Sequence, residues 1–245
     1  MPYFDQAQYD VRCEWGLPGV ENIAAADVIV IVDVLSFSTS VEVAVSRGVM
    51  VFPYRWKDDS AEEYAQQRSA ELASARNNHN LPGKYSLAPS SLIRAPRGLR
   101  LVLPSPNGSH LSFAAISHGA TVFAGCLRNA SAIARESQAA GRRITVIPAG
   151  ERWADGSLCP AIEDLIGAGA IIIQLAGTRS PESSVAVAAF EDAADQLQNR
   201  LLDCSSGREL IARGFVNDVE IAAELDVSEV VPTLIDDAFV TMTDW

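Results

Sequence analysis

Two stretches of this chain share one layout, and that layout limits the fold more than any other feature. Val28-Ile29-Val30-Ile31-Val32 leads to Asp33, then to Ser36-Phe37-Ser38-Thr39-Ser40 and a helical pattern ending at Gly48. Leu99-Arg100-Leu101-Val102-Leu103 leads to Pro104, then to Ser105-Pro106-Asn107-Gly108-Ser109 and a helical pattern ending at Gly119. Gly48 follows Asp33 and Gly119 follows Pro104 by the same 15 positions, and each glycine precedes another apolar run. An apolar strand closed by small hydroxyl or amide residues and then a helix is how α/β proteins build anion sites, because unpaired N–H groups and the helix dipole face the strand end. The layout therefore predicts an α/β fold and a small anionic ligand.

The other apolar runs fit that reading. Strands are expected at 28–32, 49–54, 99–103, 120–125, 144–148 and 170–175, with weaker candidates at 229–234 and 238–241. Helical patterns alternate with them. Thr39 with Glu42, Ser60 with Glu63 and Ser206 with Glu209 each fit a capping box, and Ser180-Pro181 puts proline at a first helical position. Continuous apolar strands between helices predict a three-layer α/β/α fold with a mostly parallel or mixed sheet. Residues 1–245 are read as a single domain, with helices near 181–200 and 216–225 as the alternative of a helical C-terminal lobe from about residue 178. Residues 76–98, rich in Asn, Pro, Ser and Gly, form the one long irregular stretch, read equally as a surface loop or as a substrate lid.

Charge narrows the ligand. The 245 residues carry a formal net charge of −12, which argues against nucleic acid or an anionic membrane as partner. The same field repels an anionic substrate, so the site needs a local positive source: helix ends, an arginine or a divalent cation. Four dispersed cysteines without a C-x-x-C pair and three histidines without ligand spacing favour an oxygen-bound metal such as magnesium over zinc. No targeting segment or membrane-length apolar run is visible, so a cytoplasmic protein is expected.

Three segments carry the candidate chemistry. Asp33 ends a strongly apolar strand, where an unpaired buried carboxylate is costly, so it either caps the following turn or acts as metal ligand, base or nucleophile. The Asp-x-Asp of haloacid-dehalogenase-type phosphatases is excluded because Leu35 holds the third position. Ser38, Thr39, Asn107, Gly108 and Ser109 lie at the two helix starts, where they cap the helices, hold anionic oxygens or do both. The segment 149–164 is the densest: Glu151, Asp155, Glu163 and Asp164 are carboxylates, and Arg152 is a bidentate donor for phosphate or carboxylate. Glu163 and Asp164 fall near a helix start, where they favour the dipole or form an acidic pair for magnesium.

Taken together, these pieces resemble the 2-phosphosulfolactate phosphatase family, magnesium-dependent phosphohydrolases of coenzyme M biosynthesis, over about residues 28–240. The matching residues are Val32-Asp33-Val34-Leu35 with Ser38-Thr39, Asn107-Gly108-Ser109, and Gly125-Cys126-Leu127-Arg128-Asn129. They continue through Ala149-Gly150-Glu151, Glu163-Asp164-Leu165 with Gly167-Ala168-Gly169, and Gly214 with Asp218-Val219. The resemblance implies a phosphomonoesterase for a small phosphorylated acid, with Mg2+ held by Asp33, Glu163 and Asp164. It implies substrate contacts from Ser38, Thr39, Asn107, Gly108, Ser109, Asn129, Glu151 and Arg152. A homodimer is the expectation for an enzyme of this size. The chain departs from the family pattern at Ser36-Phe37, where an arginine follows Asp-Val-Leu, at Ser74-Ala75-Arg76 in place of Gly-Glu-Arg, and at Ala88-Pro89-Ser90 in place of Asn-Ser-Pro. Arg152 or Arg128 could supply the missing cation. These departures keep two readings open: a phosphatase for another small phosphorylated acid, and a protein that binds a small anion on this fold without catalysis.

Overall fold

A computed structural model describes residues 3–55, 60–74, 76 and 85–241. Among these, nine strands form one sheet: β1 (Val11–Cys13), β2 (Val28–Val32), β3 (Met50–Tyr54), β4 (Glu71–Leu72), β5 (Arg100–Pro104), β6 (Thr121–Gly125), β7 (Ile144–Pro148), and, after the short pair β8 (Glu151–Arg152) and β9 (Leu158–Cys159), β10 (Thr233–Ile235) and β11 (Ala238–Val240). The helices that cover it are α1 (Gly16–Asn22), α2 (Phe37–Ser46), α3 (Ser60–Gln67), α4 (Pro89–Leu92), α5 (Gly108–Ile116), α6 (Ala130–Ala140) and α7 (Ile162–Ile172). A C-terminal group follows: α8 (Pro181–Ala193), α9 (Leu197–Asp203), α10 (Ser205–Ala212) and α11 (Val216–Ala222).

The strand order is β1-β7-β2-β6-β10-β11-β3-β5-β4. β1, β7, β2 and β6 are parallel, as are β3, β5 and β4, and the antiparallel hairpin β10–β11 joins the two groups. The twin layout of the sequence is thus a structural exchange. The first strand of one unit, β2, pairs with the second strand of the other, β6, while β3 and β5 form the reciprocal pair. Both closing glycines, Gly48 and Gly119, have positive φ (76° and 66°), as a left-handed helix C-terminus requires.

Alternation along β2 separates the layers. Val28, Val30 and Val32 pack with Ile133 of α6 and Ile166 of α7, whereas Ile29 and Ile31 pack with Val20 of α1 and Leu111 of α5. The mixed three-layer sheet matches the expected fold class. The expected strand at 170–175 is instead the end of α7 and the residues after it. A fully buried helix is apolar on every side, so its run of residues reads like that of a buried strand. Glycines let α7 sit this deep: a Cβ on Gly169 would lie 2.0 Å from the Ala186 carbonyl of α8.

Helix starts depart from two of the expected boxes. The hydroxyl of Thr39 donates to the Val34 carbonyl at 2.8 Å, and Glu42 is buried against Arg128 at 2.6 Å, so they do not cap α2. At α10 the cap is Cys204, whose sulfur accepts from Gly207 N, and not Ser206. Ser180 caps α8 as expected, accepting from Ser183 N at 3.1 Å ahead of Pro181. Residues 77–84 of the irregular stretch, including His79, lie outside the described residues, as does Trp56. Among the described residues no helix is long and apolar enough to cross a membrane.

Candidate active site

The site grows from the turn after β2. Ser38 Oγ donates to the Ile31 carbonyl at 2.9 Å and accepts from Asp33 N at 3.1 Å, which ties the first turn of α2 to the strand it follows. Ser109 makes the corresponding bond in the second unit, donating to the Leu103 carbonyl at 3.0 Å. These hydroxyls, with Thr39, are buried and engaged with main-chain carbonyls. They shape the turns, and no free hydroxyl row faces outward.

The anion at the two helix ends is a side chain of the protein itself. Asp33 Oδ1 accepts from Phe37 N at 2.9 Å, and Oδ2 accepts from Gly108 N at 3.0 Å. Phe37 and Gly108 occupy equivalent places in the twin units, so one carboxylate joins two matching helix starts. Pro104, the equivalent of Asp33, offers no second carboxylate. Close approach requires the glycine, because a Cβ on Gly108 would lie 2.2 Å from Phe37 Cδ1.

Asp164, in the first turn of α7, forms a second bracket. Its Oδ1 accepts from Val34 N at 2.7 Å and its Oδ2 from Gly150 N at 2.8 Å, connecting the β2 turn to the loop after β7. Glu163 is buried beside it and faces Cys204, whose thiol is pushed up to about 12 by burial first and by the Glu163 charge second. Glu151 enters from β8 and accepts from Asn107 Nδ2 at 2.9 Å.

Four carboxylates therefore share one partly dry region. Burial raises Asp33 above the ordinary carboxylate range, with the Glu163 charge adding to it against the two N–H bonds. Asp164 is raised further by burial, then by Asp33 and Glu163. Glu151 is pushed up to about 7, first by burial and then by Asp33, with the Asn107 bond opposing. Between pH 4.5 and 7 the folded chain thus holds a proton on Glu151 that the unfolded chain has released, so stability falls as pH rises through that window. We expect the melting temperature of the wild type to drop between pH 5 and pH 8 more than that of Glu151→Gln, measured by calorimetry in metal-free buffer.

The Arg76 guanidinium bears on Asp33 and lowers its pKa. Its Nη2 donates to Ser36 Oγ at 2.6 Å and to the Leu87 carbonyl at 2.8 Å. Sequence reasoning did not single out Arg76 as a site residue. It stands alone in an irregular stretch, and only the Ser74-Ala75-Arg76 match to a family segment marked it; Ala75 itself lies outside the described residues. Asp218, one of the residues that carry the family resemblance, is buried beside Arg76, 3.8 Å from Nε.

The remaining candidates divide. Arg152 is exposed and reaches the Pro106 carbonyl at 3.3 Å and the Gly156 carbonyl at 3.4 Å. With Asn107, Glu151, Ser157 and the apolar Leu17, Leu111 and Leu158 it lines a cavity of about 260 Å³. Asn129 is fully buried and bonds Cys126 N and the Val230 carbonyl, holding the turn after β6. Arg128 is paired with buried Glu42 and with Glu224, so it is committed away from Asp33. Asp155 is an exposed turn residue bonded to Ser157.

Asp33, Glu163 and Asp164 are the candidate metal ligands. Among the described residues no three His, Cys, Asp or Glu side chains converge into a ready ligand set. The donor chemistry of the trio is nonetheless all hard oxygen, with Arg76 as a nearby cation. That suits magnesium, which is held through one or two carboxylates and keeps several waters.

Comparison with known proteins adds the following. The family model described as 2-phosphosulpholactate phosphatase matches residues 18–237. A protein of Carboxydothermus hydrogenoformans named a probable 2-phosphosulfolactate phosphatase is 30% identical over 208 residues, covering 83% of this chain and 84% of that protein. A protein of Methanothermobacter thermautotrophicus named 2-phosphosulfolactate phosphatase is 28% identical over 203 residues, with the same coverage of 83% and 84%.

Proposed function

Because this chain belongs to the 2-phosphosulfolactate phosphatase family and is a phosphatase of that kind, we propose that it hydrolyses the phosphomonoester of a small organic acid in a magnesium-dependent reaction at the Asp33 junction. One observation carries the assignment: Asp33, Glu151, Glu163 and Asp164 share a partly buried region with Arg76 as the nearby cation. A phosphoryl group needs compensating positive charge and an acid or base in reach.

Asp33, Glu163 and Asp164 would hold the ion, which, when bound, supplies positive charge against the phosphoryl oxygens. The backbone brackets keep Asp33 and Asp164 in place without drawing on side-chain entropy at the moment of reaction. Arg76 faces the same region and offers planar donors to phosphoryl oxygens. Glu151 borders both the carboxylate cluster and the cavity, and near neutral pH it retains a proton that it can deliver to the leaving oxygen. The organic acid would occupy the cavity, its anionic end toward Arg152 and its carbon skeleton toward Leu111 and Leu158.

The test is phosphate release from a panel of small phosphorylated acids, led by the 2-phosphosulfolactate in the relatives' names, with magnesium and with chelator. We expect release in magnesium and its loss in EDTA. Saturable ligand binding with no release from folded, magnesium-loaded protein would replace this reading with that of an anion-binding protein.

A further inference from the structure

We propose that Asp218 is a positioning residue whose carboxylate holds the Arg76 guanidinium at the Asp33–Ser36 turn, ready for phosphoryl oxygens; this rests on the phosphatase reading above. The argument begins with an imbalance in hydrogen bonding. Asp218, on α11, is 1% exposed; its Oδ1 accepts from Ser90 N at 3.1 Å, whereas its Oδ2 has no hydrogen-bond partner among the described residues. Arg76 Nε is likewise buried without one, and the two atoms face each other at 3.8 Å. A buried acceptor and a buried donor left open toward each other are the two halves of a charge pair.

The rest of the guanidinium is already fixed. Nη2 is used by Ser36 Oγ and the Leu87 carbonyl, and the plane lies 5.5 Å from the centre of the Phe215 ring. Nη1 makes no hydrogen bond to a described residue. The arginine is therefore held along one edge by the β2 turn, on one face by Phe215 and at Nε by Asp218, which leaves Nη1 for a ligand. Asp33 acts on Arg76 through its charge and no hydrogen bond joins the two among the described residues, whereas Asp218 Oδ2 directly faces Arg76 Nε. The other charges that bear on Arg76 are Arg213, which opposes it, and Glu209. Through Asp218 the C-terminal helix α11 contributes to a site whose other acids come from the β2 turn, β8 and α7.

Asp218→Asn keeps the shape and the acceptor for Ser90 N while removing the charge. Two readouts apply to the whole protein. In the first, the 15N signal of Arg76 Nε–H is assigned by its disappearance in Arg76→Lys; we expect it to move to the freely rotating arginine position in Asp218→Asn. In the second, KM and the inhibition constant of inorganic phosphate should rise about tenfold in Asp218→Asn and in Arg76→Lys. The double variant should be no worse than Arg76→Lys alone, because the two residues act through one group. Asp218→Glu, which keeps the charge, should recover most of the loss and serves as the second variant if Asp218→Asn fails to fold. An unmoved Nε signal, or effects that multiply in the double variant, overturns the proposal. If the wild type hydrolyses no ester yet its Nε signal depends on Asp218, the phosphatase reading falls and the holding role stands.

Discussion

Asp33→Asn is expected to lower kcat by about a thousandfold, the scale on which loss of an acid–base group or a charge-stabilising contact is felt. The carboxylate also accepts one N–H from each of two helix starts, so the substitution turns an amide donor toward a backbone donor. A stability loss of about 1–3 kcal/mol should accompany the kinetic one, because a buried donor is left unpaired. Asp33→Ala should be worse for folding, since both Phe37 N and Gly108 N then lose their acceptor. The bracket predicts that this variant loses structure as well as chemistry. Urea denaturation beside steady-state kinetics separates the two effects. Wild-type kcat in folded Asp33→Asn would reduce Asp33 to a structural bracket.

Gly108→Ala should be nearly as damaging for a different reason. The added Cβ would sit 2.2 Å from Phe37 Cδ1, and Phe37 is fully buried with its ring edge-on to Phe239 at 6.0 Å. The ring has nowhere cheap to move, and such overpacking costs about 1–3 kcal/mol. Any shift of α5 that relieves the clash lengthens the Gly108 N to Asp33 bond and tilts the carboxylate, so kcat should fall together with stability. Gly119→Ala is the control: its Cβ meets nothing within 4 Å, so it carries only the left-handed backbone penalty of about 1–2 kcal/mol. Wild-type stability and kcat in Gly108→Ala would show that Phe37 yields to the added methyl and that the close approach is not required.

What could be read from the sequence was whatever repeats or alternates. The twin strand–turn–helix units located the turn after β2 and the start of α5, and the carboxylate-rich segment located Glu151, Glu163 and Asp164, all of which meet in space. Periodicity failed at α7, whose buried faces left no polar stripe to mark it as a helix. It also gave no sign that the helix ends were already occupied. The bond between Asp33 and Gly108 spans 75 positions, and nothing local to either residue announces it. Ser38, Thr39 and Ser109 looked like ligand-facing hydroxyls because composition cannot tell a hydroxyl that faces a cavity from one that ties a helix to its strand. Arg76 and Asp218 were overlooked as partners for the same reason, since a charge pair made by distant segments has no spacing.

The exchange of strands between the twin units has a consequence for the order in which the chain can fold. β2 needs β6 and β3 needs β5, so neither unit completes its own sheet, and among the described residues the strand pairing of the two halves runs through the hairpin at Thr233–Val240. A ribosome-bound chain that has emerged only to α11 holds two partial sheets whose facing edges, β6 and β3, are both open. Long-range pairing of this sort is slow, and open edges invite pairing with other chains. The hairpin thus closes the sheet by joining β6 to β3, one strand away from the turn that carries Asp33.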